Sequence, residues 1–569
     1  MTVQPLARPR PPGSEPAPDF RTALTGGQLD WDAWCDLPEP GPAERLAGDE
    51  AVTRTLAFLA TRIDPDAIDR TGELPAGLIA ELQDLGAFRL GAAKDLGGLG
   101  LTPYNVFRVV EATASRSVAV GFMLGVHNGI GVGTSLLPVL PDGPLRDLVR
   151  RRTAEGLISG FADTEPAGQN NQWPTVTATP TPDGSAYTLS GEKLFVSNGP
   201  VADLLGVTVT VREAGGTRVG LAVVDTRDPA FTVPAAQEFL GVRGSPNGWL
   251  RLDGVRVPRE HLVTVPQGDP RTTPRLASAV MTARMLIQAA PALAIARNCL
   301  AWSREFVTRR RINGIALGEY DLARRTLAAT AADVHAMDSV VRWSLGAADP
   351  EDRFLERNLA RNICTDACAR VVDRTVSLLG GEGLETARSK RDRGALPVPL
   401  ERAYRDARVL RTAGAVDFLA DLQTGRALVA RPAGGARPEE TAVLRRPRTG
   451  ALSPRNCRHL HALFADLRRF DITRRAVGDA LAEEREPHTR QYAQVLLGRI
   501  ARELFAMAAV LARTARDGDR ELTDVHCTAA RFRLHGLWAR LDAPSEPDYA
   551  AIGHAVLAGD RHLDDLLRN

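Results

Sequence analysis

Residues 161–171 read FADTEPAGQNN, and residues 189–205 read LSGEKLFVSNGPVADLL. Both stretches lie in a region, residues 156–270, in which apolar residues alternate with polar or small ones. Val207 and Val209 show this alternation, which is typical of half-buried strands. Several such strands in succession, with no helical pattern between them, predict an antiparallel barrel or sandwich.

Two Asp-Gly dipeptides interrupt the alternating pattern of this region. Asp183-Gly184 and Asp253-Gly254 are both turn signals, because glycine accepts the backbone conformations that tight turns require. We therefore expect the chain to reverse at both places.

The patterns on either side of the strands are helical, with apolar residues recurring at the period of an amphipathic helix. Helix-rich layers that flank a β layer leave clefts between unlike domains, where cofactors are commonly bound. The sequence divides into six segments: a Pro-rich tail (1–40), an N-terminal helical domain (41–155), the β domain (156–270), a C-terminal helical domain (271–428), a Pro/Gly/Arg-rich linker (429–455) and an additional helical domain (456–569).

The composition is that of a soluble globular protein. Of the 569 residues, 44% are hydrophobic and 25% charged, and the formal net charge is only +2, so no nucleic-acid surface is expected. The N-terminus has no apolar core of a signal peptide. The longest apolar stretch, Met285 to Ile295, contains Gln288 and Pro291 and is too short to cross a bilayer. Membrane contact is not expected.

The six cysteines are scattered along the chain. Cys364 and Cys368 share a helix face, but small buried apolar residues explain them better than a redox pair. Cys457 stands near two histidines without a fourth ligand at a structural-zinc spacing. No metal is expected, and this cysteine usage suits a reducing cytoplasm.

Further motifs carry a family resemblance. Residues 240–258 read LGVRGSPNGWLRLDGVRVP, and RDARV at 405–409 follows LLGGEG at 378–383. Together with the two stretches quoted first, and in this order, they resemble the acyl-CoA dehydrogenase family over residues 45–428. GVHNGIG at 125–131 and the additional C-terminal helices resemble its longer, very-long-chain-type branch.

The resemblance implies a fold and a cofactor. Members have an N-terminal helical domain, a β-barrel and a C-terminal four-helix domain, and FAD lies between the barrel and the helices. The thioester substrate stacks against the flavin. The FAD site is completed across a subunit interface, so a homodimer or tetramer is expected.

The same resemblance assigns flavin contacts in the two stretches quoted first. Thr164 and Ser197 are the short hydroxyls that would reach the flavin, and Phe195 would cover the ring system where the family usually has Trp. Phe161 and Asn170 fall at neighbouring contact positions, with Asn in place of the family's Ser. The alternative for Thr164 and Ser197 is that ordinary turn and strand hydroxyls are satisfied by the backbone.

The resemblance to the FAD diphosphate site is thinner. Arg310 matches an arginine that reaches the diphosphate of a partner subunit's FAD, and a guanidinium fork suits that group. However, three consecutive arginines at 309–311 also fit a solvated helix face. Gly380 and Gly381 would allow the close approach of a phosphate-bearing chain.

The family's reaction removes the α-proton of a thioester and transfers a β-hydride to the flavin. The base is a glutamate about nine residues after an Arg-Asp pair, which is here Arg405-Asp406, and the aligned residue is Gly414. Some members carry the base on an earlier helix before an arginine, and that position is here Ala283. Both familiar base positions therefore lack a carboxylate.

Three explanations remain open. A substitute carboxylate could act, and the candidates are Asp417, Asp421, Glu382 and Glu385, although each is also a plausible surface or capping acid. The flavin could perform other redox chemistry without an α-base, or the protein could be an inactive binding or assembly subunit. Gly414 also leaves room for a bulkier acyl group, so the thioester carrier could be CoA or an acyl carrier protein.

Overall fold

A computed structural model describes residues 19–36, 39–169, 171–213, 215–264, 274–346, 353–430, 449–482, 491–543 and 547–559. It confirms the predicted architecture: a helical layer, a β layer and a second helical layer, followed by additional helices. The first helical layer contains α1 (Phe20–Gly26), α2 (Trp31–Cys35), α3 (Pro42–Arg62), α4 (Pro65–Thr71), α5 (Leu78–Asp84), α6 (Pro103–Arg116), α7 (Val118–Ile130) and α8 (Pro144–Ala154).

Helices α6 and α7 form the centre of this layer. The Thr102 hydroxyl caps α6 by accepting from the backbone N–H of Asn105, and Pro103 begins the helix, as expected at a helix N-terminus. Ser117 ends α6 and caps α7. Helix α7 is buried along nearly its whole length, so it lies inside the protein, between the β domain and the second helical layer.

The β domain contains β1 (Ser159–Ala162), β2 (Thr177–Pro180), β3 (Ala186–Ser197), β4 (Leu204–Glu213), β5 (Gly216–Asp225), β6 (Phe231–Ala236), β7 (Asn247–Pro258) and β8 (Leu262–Thr264). The strand order is β6-β7-β3-β2-β4-β5-β8, and β1 pairs with the first half of β4.

This topology differs from the predicted antiparallel barrel in two ways. Strand β4 pairs in parallel with both β1 and β2, and β6 and β8 form no ladder with each other among the described strands. The sheet is therefore open among the described strands, and one of its faces packs around its own apolar cluster. Alternation predicts strands well, but it carries no information on strand direction or closure.

One of the two predicted chain reversals is found. Gly184 lies between β2 and β3, whereas Asp253 and Gly254 lie inside β7. There the register with β3 shifts by one residue, and Gly254 has φ +86°. A glycine with positive φ is what a β-bulge requires, so the Asp-Gly pair bends a strand instead of ending it.

The second helical layer contains α9 (Pro274–Arg284), a π-helical turn (Met285–Ala289), α10 (Ala290–Arg309), the short hairpin β9 (Arg311–Ile312) and β10 (Ile315–Ala316), α11 (Asp321–Leu345), α12 (Phe354–Leu379), α13 (Gly381–Leu384), α14 (Ala387–Asp392), α15 (Leu400–Leu410) and α16 (Asp417–Val429). Helices α10, α11, α12 and α15 pack together around one aliphatic core.

The additional helices are α17 (Pro454–Ala482), α18 (Tyr492–Asp517), α19 (Arg520–Leu541) and α20 (Tyr549–Ala558). Helix α18 is the most buried of the four and shares its core with the second helical layer. Arg502 of α18 contacts Asp366 of α12 at 2.7 Å. The extension is therefore packed onto α11, α12 and α16. Most of the predicted linker, residues 431–448, lies outside the described residues.

The described end of the predicted tail, residues 19–36, is helical and packed. Phe20 and Trp34 are fully buried, and the Trp34 ring stacks on Trp343 at a centroid distance of 3.6 Å. The backbone N–H of Phe20 donates to Glu356. Three aromatic residues within this segment supply the apolar surface that binds it to the core.

Two described helical stretches, Val118–Val139 and Ser278–Arg309, are long and apolar enough to span a membrane by length and composition. The second includes the apolar stretch around Met285, which is longer in the structure than the sequence pattern indicated. In both stretches most of the apolar window, 78% and 72%, is buried inside the protein, as in the core helices of a globular fold.

Candidate functional site

The segment containing Thr164 is held against the strand that carries Phe195. The carbonyl oxygen of Thr164 accepts from the backbone N–H of Leu194 at 2.8 Å. Thr164 therefore lies beside Phe195, although the two residues are 31 positions apart in the sequence. The two stretches that decide the fold also meet in the structure.

A buried ion pair fixes this contact. The Lys193 ammonium donates to the Glu165 carboxylate at 2.6 Å, to the Thr208 hydroxyl at 3.0 Å and to the carbonyl of Asp163 at 3.2 Å. Burial alone would raise the pKa of Glu165, but hydrogen bonds from Lys193 and Thr175 bring it below its ordinary value. Lys193 therefore binds both neighbours of Thr164, Asp163 and Glu165, and holds this segment against β3.

Phe195 is presented to the outside of the β domain. Its side chain is 53% exposed, its backbone has φ +56°, and its N–H donates to the side-chain oxygen of Gln237 at 2.7 Å. A bulky residue with positive φ is an outlier that the surrounding structure must hold in place. The Phe195 ring lies 6.0 Å from the Phe239 ring, and its exposed part could cover a flat ligand.

The other predicted flavin contacts have different surroundings. The Ser197 hydroxyl accepts from the Asn247 amide at 2.9 Å. The Phe161 ring packs over Gly206 of the paired strand β4 and belongs to the apolar cluster between α8 and the sheet. Asn170 lies outside the described residues.

Helix α7 connects the β domain to the second helical layer. The Asn198 amide donates to the carbonyl of Met123 at 3.0 Å, and the His127 Nδ1 accepts from the backbone N–H of Ser159 at 3.1 Å. Burial lowers the pKa of His127 to about 4, so this imidazole is neutral. The Asn198 side-chain oxygen has no hydrogen-bond partner among the described residues.

The opposite side of α7 touches the π-helical turn and its neighbour α9. A Cβ on Gly125 would lie 2.7 Å from the carbonyl oxygen of Leu286, and a Cβ on Gly129 would lie 2.7 Å from the Cα of Ala283. The two helix backbones are therefore in direct contact. Ala283, the second familiar base position, lies against α7 and is buried.

A side-chain amide lies next to Gly414, the first predicted base position. Gly414 has φ +68°, and a Cβ there would meet the Gln288 Nε2 at 3.1 Å. Gln288 donates to the carbonyl of Ala413 and accepts from the Arg361 Nε at 2.6 Å. Both Gln288 and Arg361 are buried. Neither residue was predicted as a site residue from the sequence, although a glutamine within the otherwise apolar stretch around Met285 was a usable signal.

Gln288 links the two predicted base positions, Ala283 and Gly414. Gln288 is one helical turn after Arg284, which directly follows Ala283. The Arg284 Nη1 donates to the Asn358 side-chain oxygen at 3.0 Å, and burial lowers the pKa of Arg284 to about 10. The structure therefore brings positions 283 and 414 to the same part of the second helical layer, with arginines and amides around them.

The four substitute carboxylates are all bound by arginines. Asp417 accepts from Arg411, Asp421 from Arg499 at 3.2 Å, Glu382 from Arg309 at 2.9 Å and Glu385 from Arg393 at 2.6 Å. The Arg393 and Ser389 hydrogen bonds lower the pKa of Glu385 to about 2. Burial raises the pKa of Asp421 although Arg502 opposes this effect.

Gly380 and Gly381 form an open surface at the end of α12. Apart from the adjacent backbone, no atom of the described residues lies within 4 Å of a Cβ built on either residue, so an incoming group can approach the backbone closely. Arg310 is exposed, and its Nη1 donates to the neighbouring carbonyl of Arg311 at 2.9 Å. Arg309 is engaged by Glu305 and Glu382 instead.

A cavity of about 220 Å³ lies where the three layers meet. Its lining includes Asp406, Arg402, Arg243 and Arg116. Burial raises the pKa of Asp406 to about 6, and its carboxylate accepts from the backbone N–H of Val242 at 2.5 Å. This bond connects the RDARV motif to the LGVRG loop of the β domain.

Three family profiles match the chain. The acyl-CoA dehydrogenase N-terminal domain matches residues 49–137, the middle domain residues 160–255 and the C-terminal domain residues 275–416. Together they cover the first helical layer, the sheet and most of the second helical layer.

Relatives match over still longer stretches. The probable acyl-CoA dehydrogenase FadE10 of Mycobacterium tuberculosis is 30% identical over 95% of this chain and 89% of its own length. The human mitochondrial very long-chain specific acyl-CoA dehydrogenase is 26% identical over 71% of this chain and 61% of its own.

Solved structures show the same fold. An acyl-CoA dehydrogenase from Bacillus anthracis, complexed with FAD, superposes with a TM-score of 0.72 over 94% of both chains at 17% identity. The butyryl-CoA dehydrogenase of Megasphaera elsdenii covers 69% of this chain and 99% of its own, with a TM-score of 0.58 at 22% identity. The predicted resemblance is confirmed: the chain belongs to the acyl-CoA dehydrogenase family, whose members bind FAD.

Proposed function

We propose that the chain is an FAD-dependent oxidoreductase that acts on an acyl thioester, carried by CoA or by an acyl carrier protein. The observation that carries the proposal is the meeting of Thr164 and Phe195 on adjoining segments, with Ser197 two residues further on. These are the hydroxyl and aromatic groups that the family resemblance assigns to the flavin. Bound FAD would supply the hydride acceptor.

The residues present fit such a cofactor. The exposed Phe195 ring would give the flavin a flat apolar surface, with Thr164 on the adjoining segment and Ser197 two residues further on. The buried Asn198 oxygen lacks a partner in the described structure, and the surface at Gly380 and Gly381 is open. Thr164 and Ser197 would orient the ring system, and Phe195 would shield it from water.

We further propose that the site is completed by a second copy of the chain, in a homodimer or tetramer. The exposed Arg310 guanidinium would then reach the FAD diphosphate of the partner, since its fork matches phosphate oxygens. A cytoplasmic location fits the six free cysteines. Sedimentation analysis of wild type and Arg310→Ala tests this arrangement: both should be oligomeric, and only the variant should lose FAD.

The α-proton base of the proposed reaction is non-standard. The first predicted position carries the Gln288 amide against Gly414, and the four candidate carboxylates are bound by arginines. A guanidinium stabilises the charged form of a carboxylate and makes it a weaker base, as at Glu385, whose pKa is lowered to about 2, whereas burial raises the pKa of Asp421. The same observation favours a second candidate, a flavoprotein of this fold whose redox chemistry needs no α-base, or a member that binds without catalysis.

The visible absorbance spectrum of the purified protein, before and after addition of acyl thioesters, tests the proposal. Flavin peaks that bleach support an acyl thioester oxidoreductase, and peaks that never bleach support the second candidate. A protein that takes up no FAD contradicts both flavin functions. Thr164→Val should weaken FAD retention, whereas Thr217→Val, on the exposed end of β5, is the matched control.

A further inference from the structure

The Arg284 guanidinium is largely enclosed beside Ala283, the second predicted base position, and no described carboxylate accepts a hydrogen bond from it. Its Nη1 donates to the neutral Asn358 amide at 3.0 Å and lies 3.8 Å from the Met281 sulfur. Its Nε is buried and has no hydrogen-bond partner among the described residues. A buried guanidinium without a carboxylate is costly, because desolvation is not offset by an ion pair.

A second guanidinium lies in the same region. Arg361 donates to Gln288, Asn362 and the carbonyls of Ala413 and Ala415, all of them neutral acceptors. Its pKa is lowered to about 9, first by burial and then by repulsion from Arg284. Two positive charges therefore lie close together while no described carboxylate accepts a hydrogen bond from either.

Two part-buried arginines of the additional helices are paired differently. Arg533 uses its Nε and Nη2 edge to hold Glu503 at 2.8 and 2.9 Å, and Arg502 lies between Asp366 and Asp421. The equivalent Nε and Nη2 edge of Arg284 makes no hydrogen bond with any described residue. That edge is the part of a guanidinium that binds a carboxylate with two parallel hydrogen bonds.

Arg284 also lies where a substrate's acyl group would be processed. It directly follows Ala283, which touches α7, and it precedes by one turn Gln288, which touches the Gly414 loop. Both predicted base positions, Ala283 and Gly414, lie at the helical turn from Arg284 to Gln288. The α-carbon of a bound substrate would be close to them, so an anion bound by Arg284 would belong to the acyl group.

We propose that the unpaired edge of Arg284 binds a carboxylate carried by the acyl group, so that the substrates are carboxyacyl thioesters, the monothioesters of dicarboxylic acids. This inference rests on the proposed function, because it presumes a thioester in the cleft. Arg361 acts as a positioning residue, since it holds Gln288 against the Gly414 loop and adds positive potential. Arg284 is thus the specificity-determining residue.

Binding of matched thioester pairs to the FAD-loaded full-length protein, measured by calorimetry, tests the proposal. The pairs are malonyl- with propanoyl-CoA, succinyl- with butanoyl-CoA and glutaryl- with pentanoyl-CoA. A charge-assisted hydrogen bond pair is worth about 10- to 150-fold in affinity. At least one carboxyacyl thioester should bind wild type more tightly than its partner by such a factor, and Arg284→Gln should remove that difference.

Asn358→Asp provides a second variant that does not remove the arginine. It places a carboxylate beside the Arg284 Nη1 at the distance of the present amide, 3.0 Å. Because this carboxylate competes with that of the substrate, carboxyacyl affinity should fall about tenfold or more while affinity for the methyl-ended partners stays unchanged. The thermal midpoint should not fall, since the guanidinium gains a counter-charge.

Equal affinities within every pair for wild type would overturn the inference, and so would an equal loss for both members in Arg284→Gln. Free succinate or phosphate that binds through Arg284, without any advantage of carboxyacyl thioesters, would identify a free anion as the occupant and also overturn it. If no thioester of either class binds, whether it is presented on CoA or on an acyl carrier protein, the proposed function itself fails, which distinguishes the two outcomes.

Discussion

Replacement of Lys193 by Met should loosen the segment that carries Thr164. The substitution removes the ammonium that donates to Glu165, Thr208 and the carbonyl of Asp163. Glu165 would remain buried with hydrogen bonds from Thr175 and Val176 only. Breaking a buried ion pair by removing one partner costs about 3–5 kcal/mol.

Hydrogen exchange of the amides in β3 and β4 measures this cost, because it reports the opening of single structural units. A loss of about 3–5 kcal/mol corresponds to protection factors about 100- to several-thousand-fold lower. FAD retention should fall in parallel if Thr164 contacts the flavin. The pKa of Glu165, which is below its ordinary value, should rise, because the positive charge is lost and burial remains.

The double variant Lys193→Met with Glu165→Gln is the matched control, because it removes both charges and leaves a hydrogen-bonding amide. It should recover part of the lost protection. If the single variant changes protection by less than about tenfold, or if the double variant is less stable than the single one, the ion pair does not hold this segment and the reasoning is refuted.

Three further predictions concern the rest of the fold. Trp34→Ala should release the described N-terminal helices from the core at a cost of about 3–5 kcal/mol, because the Trp34 ring stacks on Trp343. Limited proteolysis of residues 19–36 should then be faster, and an unchanged cleavage rate would contradict the prediction. Gly414→Ala should destabilise by about 1–3 kcal/mol because of the positive φ, seen as a lower urea midpoint. Burial lowers the pKa of His127 to about 4. The stability that the neutral imidazole contributes is therefore present above its ordinary pKa and is lost as the pH falls from about 6.5 to about 4, by about 3 kcal/mol at most. In His127→Gln the urea midpoint should depend less on pH in this window, and an unchanged slope would refute this.

The local patterns predicted the layers of the fold because they reflect burial. Alternation of residues such as Val207 and Val209 identified the β domain, and the helical period identified the layers on both sides. Strand direction could not be predicted in this way, because a parallel and an antiparallel partner bury the same face of β4. The Asp253-Gly254 pair shows the same limit, since a turn and a bulge both require a glycine with positive φ.

The candidate site was predicted in part. The motifs around Thr164 and Ser197 identified the segments that meet, but the Lys193 ion pair that joins them depends on a long-range contact. Gln288 and Arg284 lie on a helix whose pattern indicates only burial. Their partners, the Gly414 loop and Asn358, are far away in the sequence, so no local pattern connects them.

The sequence alone determined the family and the order of the layers, because these depend on motifs and on local periodicity, and it predicted Gly414 and Ala283 as the residues at the base positions. The tertiary structure decided which charges have partners. Asp417, Asp421, Glu382 and Glu385 acquired arginines, whereas Arg284 acquired only an amide from the described chain. Desolvation and pairing depend on which distant side chains share a buried space, and only the packing of the folded chain determines that.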